Sequence, residues 1–368
     1  MPSHPTSDTR IVLTLDAGGT NFRFAAIRGG RPAVEGVHSP SNGDDLQACL
    51  SNIVQGFSQV LARCPEPPVA ISFAFPGPCD YPAGIIGDLG NLPGFRGGVP
   101  LGPMLRAKFG LPVFINNDGD LFAYGEAIGG LLPYVNSLLE NAGSPKRYRN
   151  LFGMTLGTGL GGGIVLDGKL HLGDNSLASE IWTIRNKLDP GMNAEEGACI
   201  RAVRHTYAER SGIHLHEAPE PKVIFDIASG NAPGHRQAAE EAFHRLGVVA
   251  GDAMATALTL LDGLGVIGGG VSGAWPAFLP SLVDEMNSSF VSPDGRPFRR
   301  MPARTFNLED PEQLQLFLKG ESKRIEVPGT GTTVDYDPLQ RIGVGMSRLG
   351  TSEAVALGAY AFALRHLE

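Results

Sequence analysis

Residues 11–24 read IVLTLDAGGTNFRF, in which an apolar run meets an acid and two glycines. The run predicts a buried β-strand that ends at Asp16. Glycine-flanked backbone amides can approach phosphate oxygens closely, Thr20 and Asn21 add donors, and Asp16 can hold a water-coordinated Mg²⁺. An ordinary glycine turn is the competing interpretation, because the GxxxxGK[ST] pattern of a P-loop is absent. This stretch alone leaves both interpretations open.

Length and composition bound the class of protein. The chain has 368 residues, more than one ordinary hydrophobic core holds, which predicts two domains. Hydrophobic residues make up 42% and charged residues 18%, values that exclude a disordered or membrane protein. The net charge of −8 and the lack of a basic stripe predict no nucleic-acid partner. Since the N-terminus lacks an apolar signal core, we expect a cytoplasmic protein without a membrane partner.

The cysteines give no metal or disulfide pattern. Cys49, Cys64, Cys79 and Cys199 show neither CxxC nor CxC spacing. The spacing therefore predicts no zinc site and no disulfide framework, and it fits a reducing compartment.

Strand and helix patterns predict a duplicated α/β architecture. Three short strands linked by Gly-containing turns open the chain, and a helix over 44–63 and a buried strand follow. A second strand, Gly/Thr loop and strand begin near residue 151, with a hairpin turn at Asp167-Gly168. Two similar βββαβ starts indicate a two-lobed fold with a cleft between the lobes.

Boundaries follow from these patterns. Residues 131–150 are interpreted as a connecting segment, and residues 300–340 as an exposed hairpin insertion. Helices are predicted over 194–210 and 235–262. The predicted lobes are a smaller one over 1–130, completed by the C-terminal helix 352–368, and a larger one over 131–351 that holds the nucleotide site.

Three further motifs carry chemistry. TLGTGLGGG at 155–163 repeats the strand and Gly/Thr loop of the opening stretch. GVIGGG at 265–270 places three glycines between a strand and a helix, which suits a nucleotide or close helix–strand packing. Asn117 and Asp118 follow an apolar strand, so Asp118 can be a general base or merely the N-cap of the next helix.

Taken together, the four motifs resemble the ROK family of sugar kinases within the actin-like ATPase superfamily. Their order along the chain matches the family's first phosphate motif, catalytic Asn-Asp segment, second phosphate motif and adenosine motif. The resemblance implies contacts to ATP from Asp16, Gly18, Gly19, Thr20, Asn21, Arg23, Gly157, Thr158, Gly159, Gly268, Gly269 and Gly270. It also implies Mg²⁺ beside Asp16.

Sugar contacts are implied in the same way. The segment GNLPGF implies a sugar contact from Asn91, and the Asn-Asp pair implies contacts from Asn117 and Asp118. The segment LASEIW resembles the family's GEIGH motif, whose glutamate corresponds to Glu180. The segment NAEEGACIRAVRHTY is similar to a glucokinase segment that assigns Glu195, with Glu196 as its rival.

Two departures from the family pattern concern zinc and specificity. The histidine that closes GEIGH is Thr183 here, so a sugar contact and a zinc ligand are both missing. The CxCGxxGCxE zinc motif is absent, with only Cys199 nearby, so we expect no structural zinc. The phosphate motif begins at residue 11, so an N-terminal helix-turn-helix, and with it a repressor role, is not expected.

The resemblance implies ATP-dependent phosphorylation of a hexose hydroxyl, glucose C6 first, with Asp118 as general base, Mg²⁺ with ATP, and a homodimer. Thr183 keeps open a kinase for an amino sugar or another hexose, namely N-acetylmannosamine, N-acetylglucosamine, fructose or mannose. A sugar-binding regulator without catalysis is the alternative from a different class.

Overall fold

The computed structural model describes residues 7–18 and 20–367. The helices are α1 (Leu46–Arg63), α2 (Leu101–Phe109), α3 (Asp118–Gly129), α4 (Leu131–Asn141), α5 (Ile200–Ser211), α6 (Pro221–Ala228), α7 (Arg236–Leu261), α8 (Trp275–Met286), α9 (Pro311–Lys319) and α10 (Thr351–His366). The strands are β1 (Val12–Ala17), β2 (Asn21–Arg28), β3 (Arg31–Pro32), β4 (Val37–Pro40), β5 (Ala70–Ala74), β6 (Cys79–Asp80), β7 (Ile85–Ile86), β8 (Val113–Asn116), β9 (Leu151–Leu156), β10 (Leu160–Leu166), β11 (Lys169–Leu170), β12 (Leu264–Gly268), β13 (Ser289–Val291), β14 (Pro297–Arg299), β15 (Arg304–Asn307), β16 (Lys323–Glu326), β17 (Thr333–Tyr336) and β18 (Arg341–Met346).

The chain divides into two compact units. The first comprises Met1–Gly130, Lys169–Ala178 and Leu349–Glu368. The second comprises Leu131–Gly168 and Ser179–Arg348. Within the described residues, no helix is both long and apolar enough to cross a bilayer.

The sheet of the first unit runs β3-β2-β1-β5-β8, with β4 on the outer edge of β2. β1 and β2 form an antiparallel hairpin, whereas β5 and β8 run parallel to β1 and to each other. Because parallel strands end at the same sheet edge, β1 and β8 deliver Asp16 and the residues after Asn116 to one side.

Close helix packing fixes the position of α3 in the first unit. A Cβ at Gly125 of α3 would clash with the Ala354 carbonyl of α10, and a Cβ at Gly358 of α10 would clash with the Leu121 carbonyl of α3. Glycines on both helices therefore let the two backbones touch. This contact holds the N-terminus of α3, where Asp118 lies.

The second unit repeats this plan. Its strands run β10-β9-β12-β18-β15, with an antiparallel β9–β10 hairpin and parallel β9–β12, β12–β18 and β15–β18 pairs. The long helix α7 buries its alanines and Phe243 in the core of this unit. A hairpin beside parallel strands thus occurs once in each unit, and the predicted duplicated α/β fold is confirmed.

Two segments differ from the sequence prediction. Residues 131–150 include helix α4, whose Leu131, Val135 and Leu139 are buried at helical spacing, so the connecting-segment interpretation was wrong. Within 300–340, β15 pairs with β18 as the edge strand of the main sheet, and α9 follows it. Only β16 and β17 form the exposed hairpin, and a further exposed hairpin, β13–β14, precedes the predicted range.

Candidate active site

One cavity of the first unit brings four of the predicted site residues together. It has a volume of about 360 Å³, and Asp16, Asn91, Asn117 and Asp118 line it. The rest of its wall is formed by Ala17, Ala74, Phe75, Pro76, Gly77, Thr351, Ser352 and Val355. Two carboxylates and two amides therefore face one space that is large enough for a small polar ligand.

The N-terminus of α3 separates the roles of Asn117 and Asp118. Asn117 is the N-cap, and its Oδ1 accepts the Gly119 N–H at 2.7 Å. Asp118 is the first helical residue, and its Oδ1 also accepts the Gly119 N–H, at 3.0 Å. Since Asn117 caps the helix, the capping role considered for Asp118 is taken by its neighbour.

The surroundings of Asp118 disfavour its ionised form. The side chain reaches solvent in the cavity, while the protein around it removes much of its long-range solvation. This desolvation raises the pKa of Asp118 above the ordinary value, and the negative charge of Asp16 raises it further. The hydrogen bond from Gly119 acts in the opposite direction. A carboxyl with a raised pKa accepts a proton more readily than an ordinary aspartate.

The β1–β2 hairpin places Asp16 at a glycine turn. Asp16 is cross-strand partner to Arg23, and both side chains are exposed. Gly18 donates its N–H to the Asn21 carbonyl at 3.1 Å, and a Cβ at Gly18 would lie 2.8 Å from that oxygen. Thr20 and Asn21 are exposed on the same turn. Gly19, predicted to contact phosphate, lies outside the described residues.

In the second unit, the two glycine motifs lie side by side. A Cβ built on Gly157 would be 3.9 Å from the Gly270 nitrogen. Gly269 has a φ of +92°, and a Cβ there would lie 2.6 Å from the Leu156 nitrogen, so only glycine fits. Val271 then donates its N–H to the Leu156 carbonyl at 2.9 Å. Gly268 ends β12 opposite Thr155, which joins the two motifs through one sheet.

Glu195 is hydrogen-bonded to the second Gly/Thr loop. Its Oε2 accepts the Leu160 N–H at 3.0 Å, and its Oε1 accepts from Arg201 at 3.1 Å. Arg201 also bonds Glu196 at 2.8 Å and the Thr158 carbonyl at 2.9 Å. Sequence reasoning did not identify Arg201, although its position shortly after two adjacent glutamates was a usable signal.

Glu180 is restrained by its own 3₁₀ turn, Ile181–Thr183. The Trp182 indole N–H donates to Glu180 Oε2, and the Thr183 hydroxyl donates to the Glu180 carbonyl at 2.7 Å. Trp182, at 39% exposure, was not predicted from the sequence, and Thr183 stands where the family has histidine. Cys199 is buried and free, and the described residues contain no group of three or more His, Cys, Asp or Glu side chains arranged to hold a metal.

Two units with one strand plan and paired glycine hairpins define an actin-like α/β protein. The model of the ROK family matches residues 12–307. The chain belongs to the ROK family, and the predicted resemblance is confirmed.

Solved and curated relatives agree with this assignment. A crystal structure of glucokinase from Parabacteroides distasonis is 54% identical, with a TM-score of 0.90 over 98% of this chain and 99% of that one. N-acetyl-D-glucosamine kinase from Vibrio vulnificus is 30% identical over 239 residues, which cover 61% of this chain and 73% of the relative. A ROK family glucokinase from Streptomyces griseus in complex with glucose and AMPPNP is 18% identical, covers 95% of this chain and 98% of that one at a TM-score of 0.59, and shows the shared fold.

Proposed function

We propose that this ROK-family sugar kinase transfers the γ-phosphate of ATP to the C6 hydroxyl of glucose, with Asp118 as the general base. The observation that carries the proposal is the shared cavity of Asp16, Asn91, Asn117 and Asp118. Amides and a carboxylate suit the hydroxyls of a hexose, because each hydroxyl both donates and accepts hydrogen bonds.

Asp118 acts on the attacking hydroxyl. Its carboxylate accepts the hydroxyl proton while the sugar oxygen forms a bond to phosphorus and the bond between that phosphorus and ADP breaks. The products are a sugar phosphate and ADP. The raised pKa of Asp118 supports this role, since a stronger base removes the proton more readily. Asn117 holds the first turn of α3 and thereby fixes the direction of the Asp118 side chain.

The residues at the β1–β2 turn fit Mg²⁺ bound with ATP. Asp16 offers a carboxylate to the cavity, and oxygen ligands of this kind are the ones Mg²⁺ prefers. The charges of Asp16 and Asp118 also repel each other, which a nearby cation would relieve. Mg²⁺ neutralises charge on the transferred phosphoryl group when bound. Gly159 is proposed to offer its backbone N–H to the phosphates. Gly18 and Gly157 donate their own N–H groups within the turns and are proposed to let the phosphates approach bare backbone. Gly268, Gly269 and Gly270 are proposed to meet the nucleoside.

The choice of sugar has two candidates. The 54% identical structure bears the name glucokinase, which supports glucose. A specific observation favours an amino sugar instead: Trp182 and Thr183 occupy the positions of the family's Gly-His pair, so the hydrogen-bond donors around Glu180 differ. Glu180 and Glu195 are proposed as further sugar contacts, the latter through lone pairs beyond those given to Leu160 and Arg201.

A substrate panel tests the function. The full chain is assayed for ADP release with Mg²⁺ and ATP against glucose, mannose, fructose, N-acetylglucosamine and N-acetylmannosamine, and NMR locates the phosphate on the product. We expect the highest kcat/KM with glucose and a 6-phosphate product. A higher value with an N-acetylhexosamine selects the alternative, and ADP release with none of the sugars refutes the kinase proposal and supports the sugar-binding regulator.

A further inference from the structure

Each residue of the second Gly/Thr loop, residues 157–160, is in contact with a segment some forty residues later, 195–201. The Gly157 carbonyl accepts the Ile200 N–H at 2.8 Å. The Thr158 carbonyl accepts from Arg201 at 2.9 Å. The Leu160 N–H is bound by Glu195, and a Cβ on Gly159 would clash with Glu195 Oε2. The loop is therefore restrained at every position by one external segment.

The loop needs such a restraint. Its own internal hydrogen bond joins the Gly157 N–H to the Gly159 carbonyl at 3.0 Å. Two glycines in three residues leave the backbone many alternative conformations. Amide groups bind an anion well only when their directions are set before the anion arrives.

Arg201 connects the parts of this restraint. Its Nη1 donates to the Thr158 carbonyl, while its Nη2 donates to both Glu195 and Glu196. The fixed fork of a guanidinium can span three acceptors in this way, whereas a lysine ammonium is a single point charge. Because the Arg201 side chain is half exposed, at 50%, its ion pairs contribute little to the stability of the fold.

Arg201 also changes the charge beside the loop. Glu195 and Glu196 are two neighbouring carboxylates, and Arg201 is bonded to both. Without the guanidinium, two negative charges would stand next to a loop that is to receive phosphates. Negative charges close to the loop weaken anion binding, and salt screens this effect.

We propose that Arg201 is a positioning residue for nucleotide phosphate binding: it fixes the Thr158 carbonyl, directs Glu195 toward the Leu160 N–H, and offsets the charge of the glutamate pair. The inference rests on the proposed function, because it takes residues 157–160 as a phosphate loop. It predicts that Arg201 affects affinity for the nucleotide more strongly than affinity for the sugar, which it reaches only through Glu195.

The test compares Arg201→Gln with Arg204→Gln, a matched control on the same helix whose guanidinium bonds the Ala218 carbonyl instead of the loop. Titration calorimetry measures the Kd of Mg²⁺·ADP for the full chain, and kinetics give the KM for ATP and for the fastest sugar of the panel. For Arg201→Gln we expect both nucleotide constants to rise about tenfold, the effect of one charge-assisted hydrogen bond, and the sugar KM to rise by a smaller factor. Arg204→Gln should match the wild type.

Two further variants separate the contributions. Glu196→Gln in the Arg201→Gln background removes one negative charge without restoring the bond to Thr158, so it should recover only part of the ADP affinity. Arg201→Lys retains the charge and loses the fork, and it serves in place of Arg201→Gln if that variant does not fold. Nucleotide constants within twofold of the wild type in both Arg201 variants, or an equal rise in the sugar KM, refute the positioning role. A wild-type chain that neither binds ADP nor phosphorylates any sugar refutes the proposed function itself.

Discussion

Replacing Asp118 by asparagine tests the assigned base with little change in shape. Asparagine keeps a side-chain oxygen that can accept the Gly119 N–H, now bonded at 3.0 Å, and Asn117 continues to cap α3. What disappears is the group that can take a proton. General base catalysis contributes about 10²–10⁴-fold, so kcat should fall by that factor, or about 3–5 kcal/mol in activation free energy.

The stability of the Asp118→Asn variant gives an independent readout. Loss of a negative charge in the first turn of α3 costs about 0.3–1 kcal/mol. Desolvation acts in the opposite direction, because it raises the pKa of Asp118 in the folded chain above its value in the unfolded chain. The stability that Asp118 contributes is therefore fully present below the unfolded pKa. It is lost as the pH rises through the folded pKa. From about pH 4, the ordinary value for aspartate, upward, the variant should gain in unfolding free energy relative to the wild type.

The assay combines kinetics with denaturation. ADP release at saturating sugar gives kcat, calorimetry gives the sugar Kd, which should stay within severalfold, and urea unfolding gives stability against pH. Asp45→Asn is the matched control, because Asp45 caps α1 in the same unit by accepting the Ala48 N–H and does not line the cavity. A kcat within tenfold of the wild type for Asp118→Asn would remove Asp118 from the base role.

Four other variants examine the glycine motifs and the Glu180 turn. Gly269→Ala should destabilise the fold by about 2 kcal/mol or more in urea unfolding, because φ is +92° and a Cβ would strike the backbone, whereas Gly270→Ala, with open space, should unfold like the wild type. Trp182→Phe removes the N–H that holds Glu180 and should raise the sugar KM about tenfold with an unchanged KM for ATP. Gly157→Asp has room for its Cβ and adds a negative charge at the loop, so the KM for ATP should rise about tenfold at low salt and less at high salt.

Features decided by local sequence could be predicted, and those decided by tertiary contacts could not. Asp16, Asn117 and Asp118 each follow an apolar strand, and the switch from buried to polar residues marks a strand end in the sequence itself. The bond between Glu195 and the Leu160 N–H joins residues 35 positions apart, and only the folded chain brings them together. The bond between Arg201 and the Thr158 carbonyl likewise spans 43 positions, so the two glutamates before Arg201 were its one signal in the sequence.

The two misread segments have separate physical causes. The many polar residues of 131–150 obscured helix α4. Three apolar residues at a spacing of four, Leu131, Val135 and Leu139, suffice to bury one face of a short helix. Strand β15 lies between two exposed hairpins, and its four residues are too few to show a period. Its buried place in the sheet comes from pairing with β18, which follows it by more than thirty residues.

The two glycine hairpins, β1–β2 and β9–β10, also differ in the charge that they carry at the strand end. The first strand of each of these hairpins contains the dipeptide Thr-Leu near its end, followed by Asp16 inside β1 and by Gly157 directly after β9. The duplicated plan therefore carries an acid at only one of its two equivalent strand ends. The acid near the second loop, Glu195, comes from a distant segment and is paired with Arg201. This arrangement keeps the second loop free of an uncompensated carboxylate, which is what an anion-binding turn requires.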